Sequence, residues 1–201
     1  MVLRSFTTAL AAAVIAAPAL AAATVGQPAP NFTATDSNGK TVSLAQFKGK
    51  TVVLEWTNAD CPFVKKHYGS GNMQATQAAA AKQGVVWLTI NSSAPGKQGN
   101  VDGAKANAIV KSAGAAPSYY LLDPDGKIGK LYDAKTTPHM FVINPAGTLV
   151  YSGAIDSAPT ADPADIKGAT NYVSAALTAV KAGQPVATPT SKPYGCSVKY
   201  S

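Results

Sequence analysis

TVVLEWTNADCPFVKKHY, residues 51–68, passes within a few positions from an almost wholly apolar run to a cysteine, a proline and a basic segment. The apolar run, 51–57, is β-branched and nearly continuous, the pattern of a strand buried on both faces. Behind Cys61, PFVKKHY reads as the start of a helix. Pro62 suits the first helical position because it lacks only an amide that would have had no partner there. Cys61 then falls at the N-cap. The amides of the first turn, Phe63 and Val64 among them, have no intrahelical partners, and together with the helix dipole they favour a thiolate. Lys65, Lys66 and His67 read as lying in the first two turns, where positive charge opposes the dipole but favours the thiolate further; Asp60 and Glu55 act against it. The place where a CxxC motif puts its second cysteine holds Val64. A small, inert core cysteine is the competing reading.

The chain has 201 residues, enough for one domain with a sizeable core. Residues 1–23 read as a secretory leader: Arg4 supplies the positive end, Ala9 to Leu20 the apolar stretch, and Ala19-Leu20-Ala21 the small-x-small cleavage pattern. No other apolar run approaches the ~20 residues of a membrane-spanning helix. The expectation is an exported protein with no stable membrane span after cleavage, in a compartment where disulfides persist. Arg4 is the sole arginine, and the rest of the chain carries sixteen lysines against ten acidic residues, net +6. Apart from Lys65-Lys66 the lysines are scattered, with no basic stripe and no guanidinium forks, so no nucleic-acid partner is expected.

Further along, Asn72 to Gln83 resumes the helix that Gly69-Ser70-Gly71 interrupts, VVWLTIN (85–91) reads as a second buried strand, and Val101 to Ser112 as another helix. SYYLL (118–122) is a third strand, turned by Asp123-Pro124-Asp125-Gly126. KIGKLYDA is a short amphipathic piece, and TTPHMFVIN with TLVYSGAID makes two strands joined by a hairpin turn. Ala169 to Ala182 is a final amphipathic helix. Residues 24–183 therefore form one domain, and 184–201, rich in Pro, Thr and Ser, an extended, flexible tail carrying Cys196. Strands alternating with helices and ending in a hairpin and helix predict an α/β fold around a mixed sheet.

The proline of Thr136-Thr137-Pro138-His139-Met140-Phe141-Val142-Ile143 opens a strand, a permitted position. Combined with strand–Cys-Pro–helix upstream, it resembles the thioredoxin superfamily. GQPAPNF, LAQFKGKTVVLEW, LLDPDGKIGKLYDAKTTP and FVINPAGTLVYSGAID extend the likeness over roughly 25–182. They resemble the redoxin branch, which holds the alkyl hydroperoxide reductase/thiol-specific antioxidant proteins and exported thioredoxin-like reductases. The resemblance implies a thioredoxin-like fold, Cys61 as the redox-active cysteine, and Thr137 and Pro138 as a substrate-contacting loop with Pro138 in cis. It also implies a periplasmic location, a protein or small-molecule disulfide or peroxide as substrate, and an exported thiol reductase as partner. No cofactor is expected.

Two departures qualify that expectation. The near resolving thiol is missing, and of the peroxiredoxin PxxxTxxC pattern the proline place holds Leu54 and the threonine place Asn58, with Thr57 one residue off. Beyond Arg4 there is no arginine to polarise a peroxide; Lys65 or Lys66 replaces its fork only in part. Cys196, in KPYGCSVKY, is the remaining candidate for a resolving thiol. A permanent Cys61–Cys196 bridge is equally open, and on the chain-entropy model would stabilise the domain by about 4–5 kcal/mol. The readings carried forward are a thiol redox protein acting through Cys61 and Cys196, a peroxiredoxin-like antioxidant, and a redox-inert binding or metal-carrier module. For the last, His67 and His139 are the only histidines on offer, and no metal is expected.

Overall fold

The computed structural model describes residues 22–201, so the leader expected over 1–23 falls, but for its last two residues, outside the described residues. In chain order the strands are β1 (Thr33–Asp36), β2 (Thr41–Ser43), β3 (Val52–Trp56), β4 (Val86–Asn91), β5 (Tyr119–Leu122), β6 (Thr136–Thr137), β7 (His139–Ile143), β8 (Leu149–Gly153) and β9 (Cys196–Ser197). The α-helices are α1 (Pro62–Gly69), α2 (Asn72–Ala81), α3 (Gly103–Ser112), α4 (Lys127–Leu131) and α5 (Tyr172–Lys181). Seven strands form one mixed sheet in the order β2-β1-β5-β4-β3-β7-β8, with β3, β4 and β5 parallel and the rest antiparallel. β6 and β9 form a separate two-stranded ribbon.

The parallel centre follows from composition. Every residue of β3 and of β4 is buried, as continuous apolar runs require when both faces of a sheet are covered. Along β3 the side chains alternate. Val52, Leu54 and Trp56 enter a cluster with Phe32, Leu88, Ile90, Tyr132 and Phe141, closed by α4. Val53 enters the opposite cluster with Met73, Trp87, Met140, Tyr151, Val173 and Leu177, under α2 and α5. Trp56 anchors the first cluster, edge-on to Phe141 at 5.1 Å between ring centroids and tilted against Tyr132 at 5.7 Å. Its indole Nε1 donates to Ser92 Oγ, whose hydroxyl donates to Asp123 Oδ2. That carboxylate also accepts from the Gly129 amide and so ties α4 to β4.

Two strands lie in segments that carry no strand signal of their own. β1 lies in a Pro/Gly-punctuated segment and is recruited by pairing with β2 and β5. β9 lies in the C-terminal tail. That tail is docked along its length rather than loose. Ser152 in β8 donates its amide to Pro189 O and accepts from the Ser191 amide, which fixes the start of the tail on the edge of the sheet. Gly153 makes this possible, because a Cβ there would collide with Ser191. Beyond β9, the Val198 amide donates to Lys135 O, the Ala94 amide to Lys199 O, and the Tyr200 hydroxyl to Ala134 O.

Candidate active site

β3 delivers Cys61 to the end of the sheet through a tight turn. The Thr57 amide donates to Ile90 O, the Cys61 amide to Asn58 O at 3.0 Å, and the Asp60 amide to Asn58 Oδ1 at 2.9 Å. Cys61 is therefore the N-cap of α1, with extended backbone and Pro62 at the first helical position. Opposite it, the Thr137–Pro138 peptide bond is cis. Thr137 O stands 3.1 Å from Cys61 Sγ and accepts from the thiol. Thr137 is also the residue that pairs with Cys196 across the β6–β9 ribbon, so one residue holds both cysteines at the same place in the fold. Both cysteines are free thiols. Gly195 lets the tail approach this closely: its φ is +133°, and a Cβ would collide with Thr137 O.

The two sulfurs differ in acidity. Burial pushes the Cys61 thiol up, but donors outweigh it: the Cys196 thiol most, then the Val64 amide and the Thr137 side chain, so its pKa lies below the ordinary thiol value. The Val64 amide faces the sulfur without making a full capping hydrogen bond, and the buried Thr137 hydroxyl likewise has no well-aligned partner. Cys196 is pushed up to about 11, by burial first and then by its hydrogen bond to Cys61 and the charge there, with Lys199 opposing. Of the two, Cys61 is thus the more readily deprotonated and Cys196 the more firmly held as a thiol.

The flanking charges act otherwise than their spacing suggests. Gly69 ends α1 after eight residues, so Lys66 occupies its last turn, where its charge complements the dipole instead of opposing it, while His67 beside it is held neutral by burial. Lys66 is buried, donates from Nζ to Ala158 O at 2.7 Å, and lies over the Tyr194 ring at 5.5 Å. Lys65 lines a cleft of about 220 Å³ on the other face of α1, with Ala59, Val64, Tyr68, Ile109 and Val110. The donors that lower the Cys61 pKa are neutral groups, not these lysines or Asp60. Phe63 packs against Tyr194 at 5.8 Å between centroids.

Glu55, met in the sequence only as a nearby negative charge, is fully buried on the α1 side of β3. It accepts from Tyr68 Oη at 2.7 Å, Trp87 Nε1 at 2.7 Å, Thr89 Oγ1 at 3.1 Å and Gln77 Nε2 at 3.3 Å. Burial pushes its pKa up and these four donors pull it back. The signal was present: it is the sole glutamate of the chain, set in an otherwise apolar strand. Tyr194, His67 and Asp156, which hold the tail, had no comparable signal, because they converge only in the fold.

Residues 25–152 match the model of the AhpC/TSA family. The chain belongs to that family. Among curated proteins it is 34% identical over 129 residues to the thiol-disulfide oxidoreductase ResA of Bacillus subtilis, a match covering 61% of this chain and 63% of that protein's length. Among solved structures, a hypothetical protein of Sinorhizobium meliloti aligns with TM-score 0.74 and 27% identity, over 90% of this chain and 97% of that one. A conserved protein of Geobacillus kaustophilus aligns with TM-score 0.73 and 26% identity, over 89% and 93%. A secreted Mycobacterium tuberculosis disulfide oxidoreductase shares the fold, with TM-score 0.53 and 23% identity over 74% and 95%. The thioredoxin-like fold of the sequence reading is therefore established.

Within the AhpC/TSA framework, this chain's two histidines are committed to the protein interior. His139 Nδ1 accepts from the Lys135 amide at 3.2 Å, and the ring stacks on Phe141 at 4.4 Å. His67 bonds through both ring nitrogens, to Tyr194 and Asn72. Among the described residues no three His, Cys, Asp or Glu side chains converge as a metal site, and no helix is long and apolar enough to cross a membrane. Burial first, and then a nearby lysine in each case, pushes both histidines down to about 4, against the pull of Asp156 and Asp133. The unfolded chain binds these protons near pH 6.5, so it takes up more protons than the native state between pH 6.5 and 4. Stability is full above that window and falls as pH drops through it, by about 3 kcal/mol per histidine at the lower limit. The denaturant midpoint at pH 7 should exceed that at pH 4.5; equal midpoints would contradict buried neutral histidines.

Proposed function

We propose that this protein is an exported thiol-disulfide oxidoreductase in which Cys61 and Cys196 form the working pair. The Cys61 thiolate attacks one sulfur of a substrate disulfide, forming a mixed disulfide and releasing the first substrate thiolate, which takes up a proton. Cys196, deprotonated as it reacts, then attacks Cys61 Sγ. The 61–196 disulfide forms and the second substrate thiol leaves. The substrate gains two electrons from the protein and two protons, one released by Cys196 and one taken from solvent, where the Cys61 proton went when the thiolate formed. Thr137 and Pro138 hold the reacting sulfur in line. An exported thiol reductase restores the pair.

The observation that carries this reading is the Thr137–Cys196 pairing, which sets a second thiol against the N-cap thiolate in a chain without a CxxC motif. Timing also favours it. Cys196 is kept protonated partly by the charge on Cys61, and that charge disappears when Cys61 enters a mixed disulfide. Cys196 then ionises more readily, helped by Lys199, when it is needed as a nucleophile. Disulfide exchange is preferred over peroxide reduction because the fork that would polarise a peroxide is missing.

The test is a redox titration of the mature protein in glutathione buffers, read by mass spectrometry of the alkylated forms. The expected result is a reversible 61–196 disulfide at a potential above about −300 mV. A bridge that reduces only on unfolding would make it a structural staple, and thiols that never pair would end the two-cysteine mechanism. Peroxide consumption that depends on Cys61, abolished in Cys61→Ser and faster than disulfide exchange, would favour the peroxidase reading.

A further inference from the structure

Cys61 has no exposed surface. The tail closes the site over it: Cys196 lies against its sulfur, Gly195 packs on Thr137 O, and Tyr194 packs on Phe63 in the first turn of α1. A substrate disulfide must displace this segment to reach the thiolate, and the same segment must return before Cys196 can close the ring. Whatever holds it therefore acts on both steps, in opposite directions.

We propose that Tyr194 is a latch, its hydroxyl clamped between Asp156 and His67, that positions Cys196 for ring closure and in the same contact restricts access to Cys61. The inference rests on the two-cysteine reading above. The clamp is fully determined by its donors. The Tyr194 hydroxyl has one proton, which it donates to Asp156 Oδ1, a carboxylate oxygen that only accepts. Its oxygen then accepts from His67 Nε2–H at 3.1 Å. That fixes Nδ1 as the acceptor of the neutral ring, and Asn72 Nδ2 donates to it at 2.8 Å. The Ala158 amide donates to Asp156 Oδ1 at 3.0 Å and holds the carboxylate in place. The ring is caged by Phe63, by His67 at 6.4 Å and by Lys66 Nζ.

Every clamp group except Tyr194 belongs to α1, α2 or the segment after β8, and each is fixed by its own partners. Tyr194 alone comes from the tail, two residues before Cys196. The other tail anchors, at Ser191 and from Val198 to Tyr200, fasten to β8, the segment before β6 and the loop after β4, whereas Tyr194 fastens to the helix that carries Cys61 at its N-cap. Loss of its hydroxyl leaves the ring packing and removes two hydrogen bonds to buried groups, one of them charge-assisted.

The test uses the full chain and an aromatic disulfide, 5,5′-dithiobis(2-nitrobenzoate), whose coloured thiolate is released once when Cys61 captures the reagent and again when Cys196 closes the ring. Both steps appear in one stopped-flow trace. Wild type is expected to release two equivalents. Tyr194→Phe should release the first faster and the second about tenfold more slowly, the scale set by losing one charge-assisted hydrogen bond from the closed state. Gly195→Ala, which obstructs the same docking from the backbone side, should show the same opposed pair of changes. Any other pattern in these variants overturns the latch, including the joint slowing that general loosening would produce. A wild-type chain that releases only one equivalent overturns the two-cysteine reading and the latch with it.

Discussion

A Cys196→Ser chain is expected to capture a disulfide at Cys61 and then stall, with the mixed disulfide accumulating and turnover falling about a thousandfold or more. The substitution is mild in every other respect. A serine hydroxyl fills nearly the same volume at the half-buried position, and it can still donate toward Cys61, so the N-cap thiolate keeps its largest favourable contact. What is lost is the second nucleophile. In wild type that nucleophile is held against the sulfur it must attack by pairing with Thr137, and a docked group of this kind acts as though present at an effective concentration far above that of free thiols in solution. In the variant, release waits for an external thiol at millimolar concentration or below. Mass spectrometry under non-reducing conditions should find the substrate half attached to Cys61, and an added small thiol should rescue turnover in proportion to its concentration. Turnover within tenfold of wild type would remove Cys196 from the mechanism.

The largest effect on stability is expected at Glu55. Glu55→Ala removes the shared acceptor of Tyr68, Trp87, Thr89 and Gln77, all buried or nearly so, and opens a cavity between the sheet and the α1 and α2 helices. Leaving several buried donors without an acceptor should cost about 3–5 kcal/mol, a large share of the stability of a domain this size. Glu55→Gln keeps the volume, but its amide nitrogen brings hydrogens to a place already crowded with them, so it should recover only part of the loss. Denaturant unfolding of the three chains measures this directly. A Glu55→Ala midpoint equal to wild type would mean that the four donors find other acceptors, and the carboxylate would not be the hub of that face of the sheet.

The elements legible in the sequence were those whose periodicity and punctuation act locally. TVVLEWT and VVWLTIN announce buried parallel strands because nothing in them tolerates water, and Pro62 and Gly69 mark both ends of α1. Cys61 could be placed at a helix N-cap for the same reason. β1 and β9 could not be read, since each is short and polar enough to pass for loop and becomes a strand only through pairing with segments distant in sequence. The charges of α1 are ambiguous in the sequence because a helix of eight residues has almost no middle: Lys66, within the first two turns from Pro62, already lies in the last turn, where it complements the dipole. The clamp around Tyr194 was illegible for a further reason. His67, Asp156 and Tyr194 lie far apart along the chain, and a convergence made by tertiary packing leaves no spacing for a motif to record.

The fastening of residues 189–191 to β8 bears on how this molecule behaves in a crowd. β8 is the last strand of the sheet, and a bare edge there would offer unsatisfied backbone groups to a neighbouring chain. Ser152 has both of its outward backbone groups taken by Pro189 and Ser191, and the Ser191 hydroxyl accepts from the Ala154 amide at 2.9 Å just beyond the strand. In the proposed cycle the segment around Tyr194 swings away to admit a substrate, and that movement needs no break in the seal, which is made by Pro189 and Ser191. On the proposed reading, opening for chemistry is thereby separated from opening to self-association, and Cys61 is uncovered without presenting an edge on which copies of the protein would stack.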